Sequence, residues 1–164
     1  MANKVYIQEE TAKTWSDATT GGDYVMDLGS LAPDNVKVGA QCDLGAAPRA
    51  DQYAYKFVID GFDTAPVVGE TVDLYLAFSD GTYVDGDVGT ADAAGFTADL
   101  PNLMYVGSAS VQTTTAADNL IISGLVNIPF RYVSPVVHNN TADALLGTSD
   151  AHKFILTPVP PEVQ

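Results

Sequence analysis

From Tyr24 onward the chain is a succession of short apolar runs, each closed after a few residues by Gly, Pro, Asp or Asn. That punctuation constrains the fold more than any other feature. Strands tolerate such spacing, whereas helices of ordinary length do not. Val36-Lys37-Val38-Gly39-Ala40-Gln41-Cys42 puts Val, Val, Ala and Cys at every second position with Lys, Gly and Gln between them, the period of a half-buried strand. Gln52 to Ile59 is rich in Tyr, Phe, Val and Ile, and Val72 to Phe78 alternates Val, Leu, Leu and Phe with Asp, Tyr and Ala. Both are closed by an Asp-Gly pair, Asp60-Gly61 and Asp80-Gly81, which reads as a turn. Val5-Tyr6-Ile7, Tyr24 to Leu28, Leu103 to Val106, Ala109 to Thr114, Leu120 to Val126, Phe130 to Val137 and Lys153 to Leu156 complete a set of about nine or ten short strands. Only Ala91 to Ala94 and Thr141 to Leu146 offer a helical turn, and neither is long enough to stand alone.

Strands separated by turns every ~8 to 12 residues, without helical crossovers, predict an all-β, antiparallel two-sheet sandwich, jelly-roll-like, with extended termini. Helix is expected below about 10% of residues. No internal repeat of fixed period is visible, which disfavours a propeller or solenoid. At 164 residues one domain is expected. The division is an N-terminal arm and first strand over 1–20, a sandwich domain over 21–156 and an extended proline-rich tail over 157–164. That tail, Thr157-Pro158-Val159-Pro160-Pro161-Glu162-Val163-Gln164, is expected to be free of pairing inside a sheet.

Charge narrows the partners. Seven basic and 21 acidic residues give a net charge of −14, and 17 of the acids are Asp, the acid that suits turns rather than helix faces. A basic nucleic-acid face is thereby excluded. Residues 1–20 lack a basic segment followed by an apolar one, with Glu9 and Glu10 where a signal peptide needs hydrophobic side chains, so secretion by that route is not expected. Without secretion the sequon Asn139-Asn140-Thr141 has no meaning. No run approaches ~18 apolar residues, so no membrane span is expected. Cys42 is the single cysteine and reads as a small buried thiol.

Catalytic inventories are incomplete. His138 and His152 lie in separate late segments without close metal-ligand spacing, and Ser79 lacks the Gly-x-Ser-x-Gly elbow of a hydrolase. No phosphate loop or dinucleotide fingerprint exists. The residues from Asp80 to Asp92 hold four carboxylates, Asp80, Asp85, Asp87 and Asp92, yet they miss the EF-hand spacing and its closing Glu. They read as a solvated turn, and no catalytic residue, cofactor or metal site is assigned. Tyr53, Tyr55, Phe57, Tyr75, Phe78, Tyr83 and Tyr105 lie in or beside strands, suiting either a core edge or a protein or sugar contact.

Several stretches resemble the small β-rich virion proteins of tailed bacteriophages, in particular capsid decoration or cement proteins. They are Glu10 to Asp17, Cys42-Asp43-Leu44-Gly45 with Ala47 to Ala50, Val72 to Gly81, Ile128 to Asn139, and Leu156 to Gln164. The resemblance implies a non-enzymatic protein with a jelly-roll-like sandwich. It implies binding to the major capsid protein on the outer shell, self-association, as a trimer in the first instance, and location on the virion after folding in the host cytoplasm. It carries no site residue with it. The competing expectation is a carbohydrate-binding or adhesin-like sandwich, in a head fibre or tail, using Trp15 or a Tyr platform and calcium at Asp80 to Asp92. In the virion reading the two arms, 1–20 and 157–164, lie against a neighbouring subunit or the shell, while Asp85 and Asp87 face solvent.

Overall fold

The computed structural model describes residues 11–17, 22–46, 49–147 and 152–159. The expected strand at Val5-Tyr6-Ile7, most of the N-terminal arm and the last five residues of the tail lie outside them. Eleven short strands form within the described residues: β1 Lys13–Ser16, β2 Tyr24–Val25, β3 Val36–Val38, β4 Cys42–Asp43, β5 Gln52–Ile59, β6 Thr71–Ser79, β7 Ala93–Gly95, β8 Met104–Ser110, β9 Leu120–Asn127, β10 Tyr132–Asn140 and β11 Lys153–Pro158. The only helical pieces among these residues are two 3₁₀ segments, Asp85–Asp87 and Thr97–Asn102. The protein is an all-β sandwich. Sheet A runs β2-β1-β11-β5-β9 and sheet B runs β7-β3-β10-β6-β8, with β4 joined to β10 beyond β3. The chain passes from one sheet to the other at β2–β3, β4–β5, β5–β6, β8–β9, β9–β10 and β10–β11, in the jelly-roll manner. Pairing is antiparallel throughout except for β1 with β2, which is parallel.

Inward rows from both sheets make the main core, which includes Trp15, Tyr53, Phe57, Phe154 and Leu156 from sheet A and Val72, Leu74, Leu76, Val133 and Val137 from sheet B. Trp15 is fully buried against Tyr24 and Phe154, with ring centroids 5.2 and 5.3 Å away, and its indole N–H donates to the Ala40 carbonyl at 2.8 Å. That burial pulls β1 into the sandwich, so the domain begins before residue 21. At the other end Thr157 and Pro158 pair with Ala54 and Tyr53, so the tail does not leave the sheet at 157 as expected. Pro158 is tolerated because β1 reaches only Leu156 on the opposite side, leaving no ladder bond there for the missing N–H to break.

A proline inside the central strand β10 is accommodated in the same way. The Pro135 carbonyl accepts from Gly39 N–H at 2.8 Å, which places its nitrogen on the side where β3 has ended and β4 has not begun. Ala40 and Gln41 turn away there to bond Val25 and Thr90, so the strand expected over Val36 to Cys42 is two strands with a gap. Leu103 to Val106 and Ala109 to Thr114 are not two strands but one, β8, broken by a register shift opposite Leu74 and Tyr75. Ala91 to Ala94 is not helical, because Ala93 and Ala94 pair with Val38 and Lys37 as β7. Residues 141–146 form turns and an isolated bridge instead of a helical turn. The Asp-Gly turns stand, with φ of 101° at Gly61 and 100° at Gly81.

The two outer faces are treated differently. Over sheet B the excursion between β6 and β8 folds back and builds a second, smaller core in which Leu100 and Leu103 join Val36, Val38, Ala77 and Val136. Among the described residues sheet A has no such cover.

Candidate functional site

Register alone defines the outer face of sheet A. One row is Ile121, Val58 and Lys153; the next is Ser123, Lys56, Ile155 and Thr14; the third is Leu125, Ala54 and Thr157. Ile121 is 53% and Leu125 62% exposed, and Val58 and Ile155 are half-buried. No carboxylate stands in these rows, although the chain carries 21. Lys37 pairs with Asp92, Arg49 with Asp51 and Arg131 with Asp43. Lys56 and Lys153 make no ion pair among the described residues. A face that mixes exposed aliphatic side chains with two ammonium groups free of ion pairs among the described residues suits contact with a surface that is partly apolar and acidic.

The acidic excursion lies on the other side, over sheet B. Asp80 Oδ1 accepts from the Thr82 and Tyr83 N–H groups, which holds its carboxyl below the usual range. Asp85 Oδ2 accepts from Phe78 N–H at 3.2 Å, and Asp92 bridges Lys37 at 3.0 Å and the Asp27 N–H at 3.1 Å. These carboxylates organise turns, and the described residues hold no group of three or more His, Cys, Asp or Glu arranged to take a metal ion. Phe78, Ser79, Asp80, Tyr83, Asp85 and Phe130 line a cleft of about 180 Å³ beside them, with Tyr83 79% exposed at its mouth.

The histidines do not meet. His138 sits on the outer face of sheet B with Nε2 3.1 Å from Asp34 Oδ1 and Nδ1 3.9 Å from Asp73 Oδ2. Ser108 donates to Asp73 and exchanges a 2.7 Å bond with the Tyr105 hydroxyl. Serine, carboxylate and imidazole are thus in one row, but the carboxylate stands between the other two, so the imidazole cannot take the serine proton. His152 is buried just ahead of β11: Nδ1 accepts from Asp60 N–H at 3.2 Å, Nε2 donates to the Leu146 carbonyl at 3.0 Å, and burial pushes its pKa down. Ser79 is buried, and its hydroxyl oxygen accepts from Gly81 N–H. Cys42 is fully buried beside Tyr24, and desolvation pushes its thiol up to about 11, so it is inert at neutral pH.

The expected aromatic platform is dispersed. Trp15, Tyr53 and Phe57 are core residues with no exposure, which removes Trp15 as a contact, and Phe78 is buried. Tyr55 and Tyr75 are half-buried; Tyr105, exposed, packs edge-on against Tyr75 at 5.4 Å, away from Tyr83 in the cleft. The outer face of sheet A was not foreseen. Its signal was present in Leu120-Ile121-Ile122-Ser123-Gly124-Leu125-Val126, which is apolar at both odd and even positions, the mark of a strand with two apolar faces.

No protein-family model and no curated protein matches this chain. Among solved structures it is similar to a family 35 carbohydrate-binding module from an environmental isolate, over 99% of this chain and 92% of that one, at 11% identity and a TM-score of 0.43. A likeness of that degree says nothing about ligand. Among the described residues no helix is long and apolar enough to cross a membrane.

Proposed function

We propose that the protein is a non-enzymatic structural protein of a phage virion, a capsid decoration or cement protein seated on the outside of the major capsid shell. The observation that supports this reading is the polarity of the sandwich. The rows of one outer face mix Ile121, Leu125, Val58, Ile155 and Ala54 with Lys56, Lys153, Ser123, Thr14 and Thr157 and hold no carboxylate, while the other face is capped by an acidic excursion. In this reading sheet A lies on the shell, Asp85 and Asp87 point outward, and the charge of −14 keeps free subunits soluble before assembly. A face of three to four strands distributes contact over a broad area, as a cement requires, instead of concentrating it in a pocket.

Add-back to shells stripped of the protein tests the reading. The wild-type chain should bind and raise the shells' resistance to heat through mass action on the assembled state. Leu125→Glu with Lys56→Glu should keep the far-UV spectrum and melting profile yet lose binding. Failure of the wild-type chain to bind shells overturns the proposal. The second reading, a carbohydrate-binding or adhesin-like module, draws on the cleft of Phe78, Tyr83 and Phe130, whose rings lie beside the carboxylates of Asp80 and Asp85. Binding to soluble glycans but not to shells, abolished by Tyr83→Ala, would favour it.

A further inference from the structure

Strand β9 ends sheet A, and among the described residues no strand pairs on its outer edge, although β8 of the facing sheet passes close to it. The other sheet ends are blunted: β2 has two residues, β7 three, and β8 carries the register shift near Val106. By contrast β9 runs for eight residues, Leu-Ile-Ile-Ser-Gly-Leu-Val-Asn, without a charge, a proline or a shift. The parity of its hydrogen bonds follows from its continuation, where Ile128 N–H donates to the Asp51 carbonyl at 2.8 Å. In an antiparallel ladder bonded residues recur at every second position, so Leu120, Ile122, Gly124 and Val126 bond inward to β5. The backbone N–H and C=O of Ile121, Ser123, Leu125 and Asn127 therefore point to the open side. Their side chains are those on the outer face of sheet A.

We infer that a second copy of this chain pairs on this edge, β9 against β9, antiparallel about a two-fold axis through Ser123. Self-complementarity selects this occupant. With Ser123 opposite its own counterpart, Ile121 falls opposite the second copy's Leu125 and Leu125 opposite its Ile121. All three opposed pairs are then of the doubly bonded kind, and every side chain keeps its face. The two outer faces join into one sheet of ten strands, with the rows of Ile121 and Leu125 meeting at the seam and no carboxylate from either copy among them. At one end of this edge a groove of about 430 Å³ opens between β8 and the residues from Asp118 to Ile122. The symmetry is two-fold, unlike the trimer implied by the resemblance to decoration proteins. The pairing does not depend on what the outer face docks to.

One eight-residue strand pair lies near the lower end of specific interfaces, about 1,000 Å² in total, so the dimer is a weak one. Two charges of −14 repel, so it tightens as salt rises. Sedimentation velocity on the full chain across a hundredfold concentration range, at low and high salt, should show a monomer of 17.2 kDa passing to a species of twice that mass. Hydrogen exchange in the same samples should show the amides of Ile121, Ser123 and Leu125 gaining protection as the dimer forms, while those of Ile122 and Gly124 are protected throughout. Ser123→Pro removes only an outward N–H and should leave a monomer. Ile121→Lys with Leu125→Lys, on an exposed face, provides a second monomeric variant should the proline disturb the fold. A chain that stays monomeric, a trimer, or a dimer indifferent to the folded variants would each overturn the pairing, whatever the shell-binding test returns.

Discussion

His152 shows how a single side chain ties this fold to pH. Asp60 N–H donates to Nδ1 while Nε2 donates to the Leu146 carbonyl, so both bonds exist together only in the neutral imidazole. Protonating Nδ1 would set one N–H against another inside the protein. Burial is the main cause of the lowered pKa, opposed by the backbone bond to Leu146 and by the negative charges of Asp60 and Asp27. The folded value is thus below the unfolded one, near 6.5, and between the two the unfolded chain holds the proton that the native state refuses. The contribution of His152 is complete above about pH 6.5 and fades as pH falls from there towards the folded value. His152→Gln should therefore melt well below wild type at pH 7.5, with the gap narrowing by pH 5. A gap that does not change with pH would refute the linkage.

At the level of elements, the space between β8 and β9 inside the sandwich is filled by one large ring. Tyr55 lies inward from β5, and the facing positions on β9 and β8 are Gly124 and Gly107. A Cβ on Gly124 would stand 2.9 Å from Tyr55 Cε1, a contact that must move the ring. Gly124→Ala is expected to cost about 1–3 kcal/mol by overpacking. The same change in a Tyr55→Ala background should cost little, since the obstructing ring is gone; additive losses in that double-mutant cycle would contradict the account. Element identity itself was legible wherever alternation was long, as at Gln52 to Ile59 and Val72 to Phe78. It was least legible at β7, where Ala93, Ala94 and Gly95 carry no strand preference and pair only because Val36 to Val38 present an open edge. The 3₁₀ segment at Thr97–Asn102 is equally dependent on context, since its buried Leu100 has a core to enter only once sheet B exists.

Across the whole molecule, five of the 21 acids, Asp80, Asp85, Asp87, Asp92 and Asp99, fall in one excursion, and none stands in the three outer rows of sheet A. The 80–103 excursion lies over sheet B, and three of its four early Asp residues bond backbone N–H groups or Lys37. With those oxygens engaged, EDTA should leave the melting temperature unchanged, and a drop of several degrees restored by calcium would reveal a cation site in the excursion. Arg131 is held among the acids by a bidentate bond to Asp43 at 2.7 and 2.6 Å and by stacking over Tyr132 at 5.1 Å. Lys56 and Lys153 stand on the opposite face.

The sequence by itself determined that the chain is β throughout, where its Asp-Gly turns fall, and that Cys42 is buried. These are local matters: alternation decides which side chains can share a face, and turn chemistry decides where a strand must stop. It could not decide which strands end a sheet, since pairing partners such as Trp15 with Phe154 or Val36 with His138 are more than a hundred residues apart. Nor could it place the two prolines of β10 and β11, each acceptable only because a neighbouring strand is interrupted or ends beside it. Tertiary structure also decided which apolar residues stay outside. Ile121 and Leu125 are as hydrophobic as Ile122 and Val126, and only the assembled sheet turns the first pair out and the second pair in, because every side chain of a strand follows the face its register assigns.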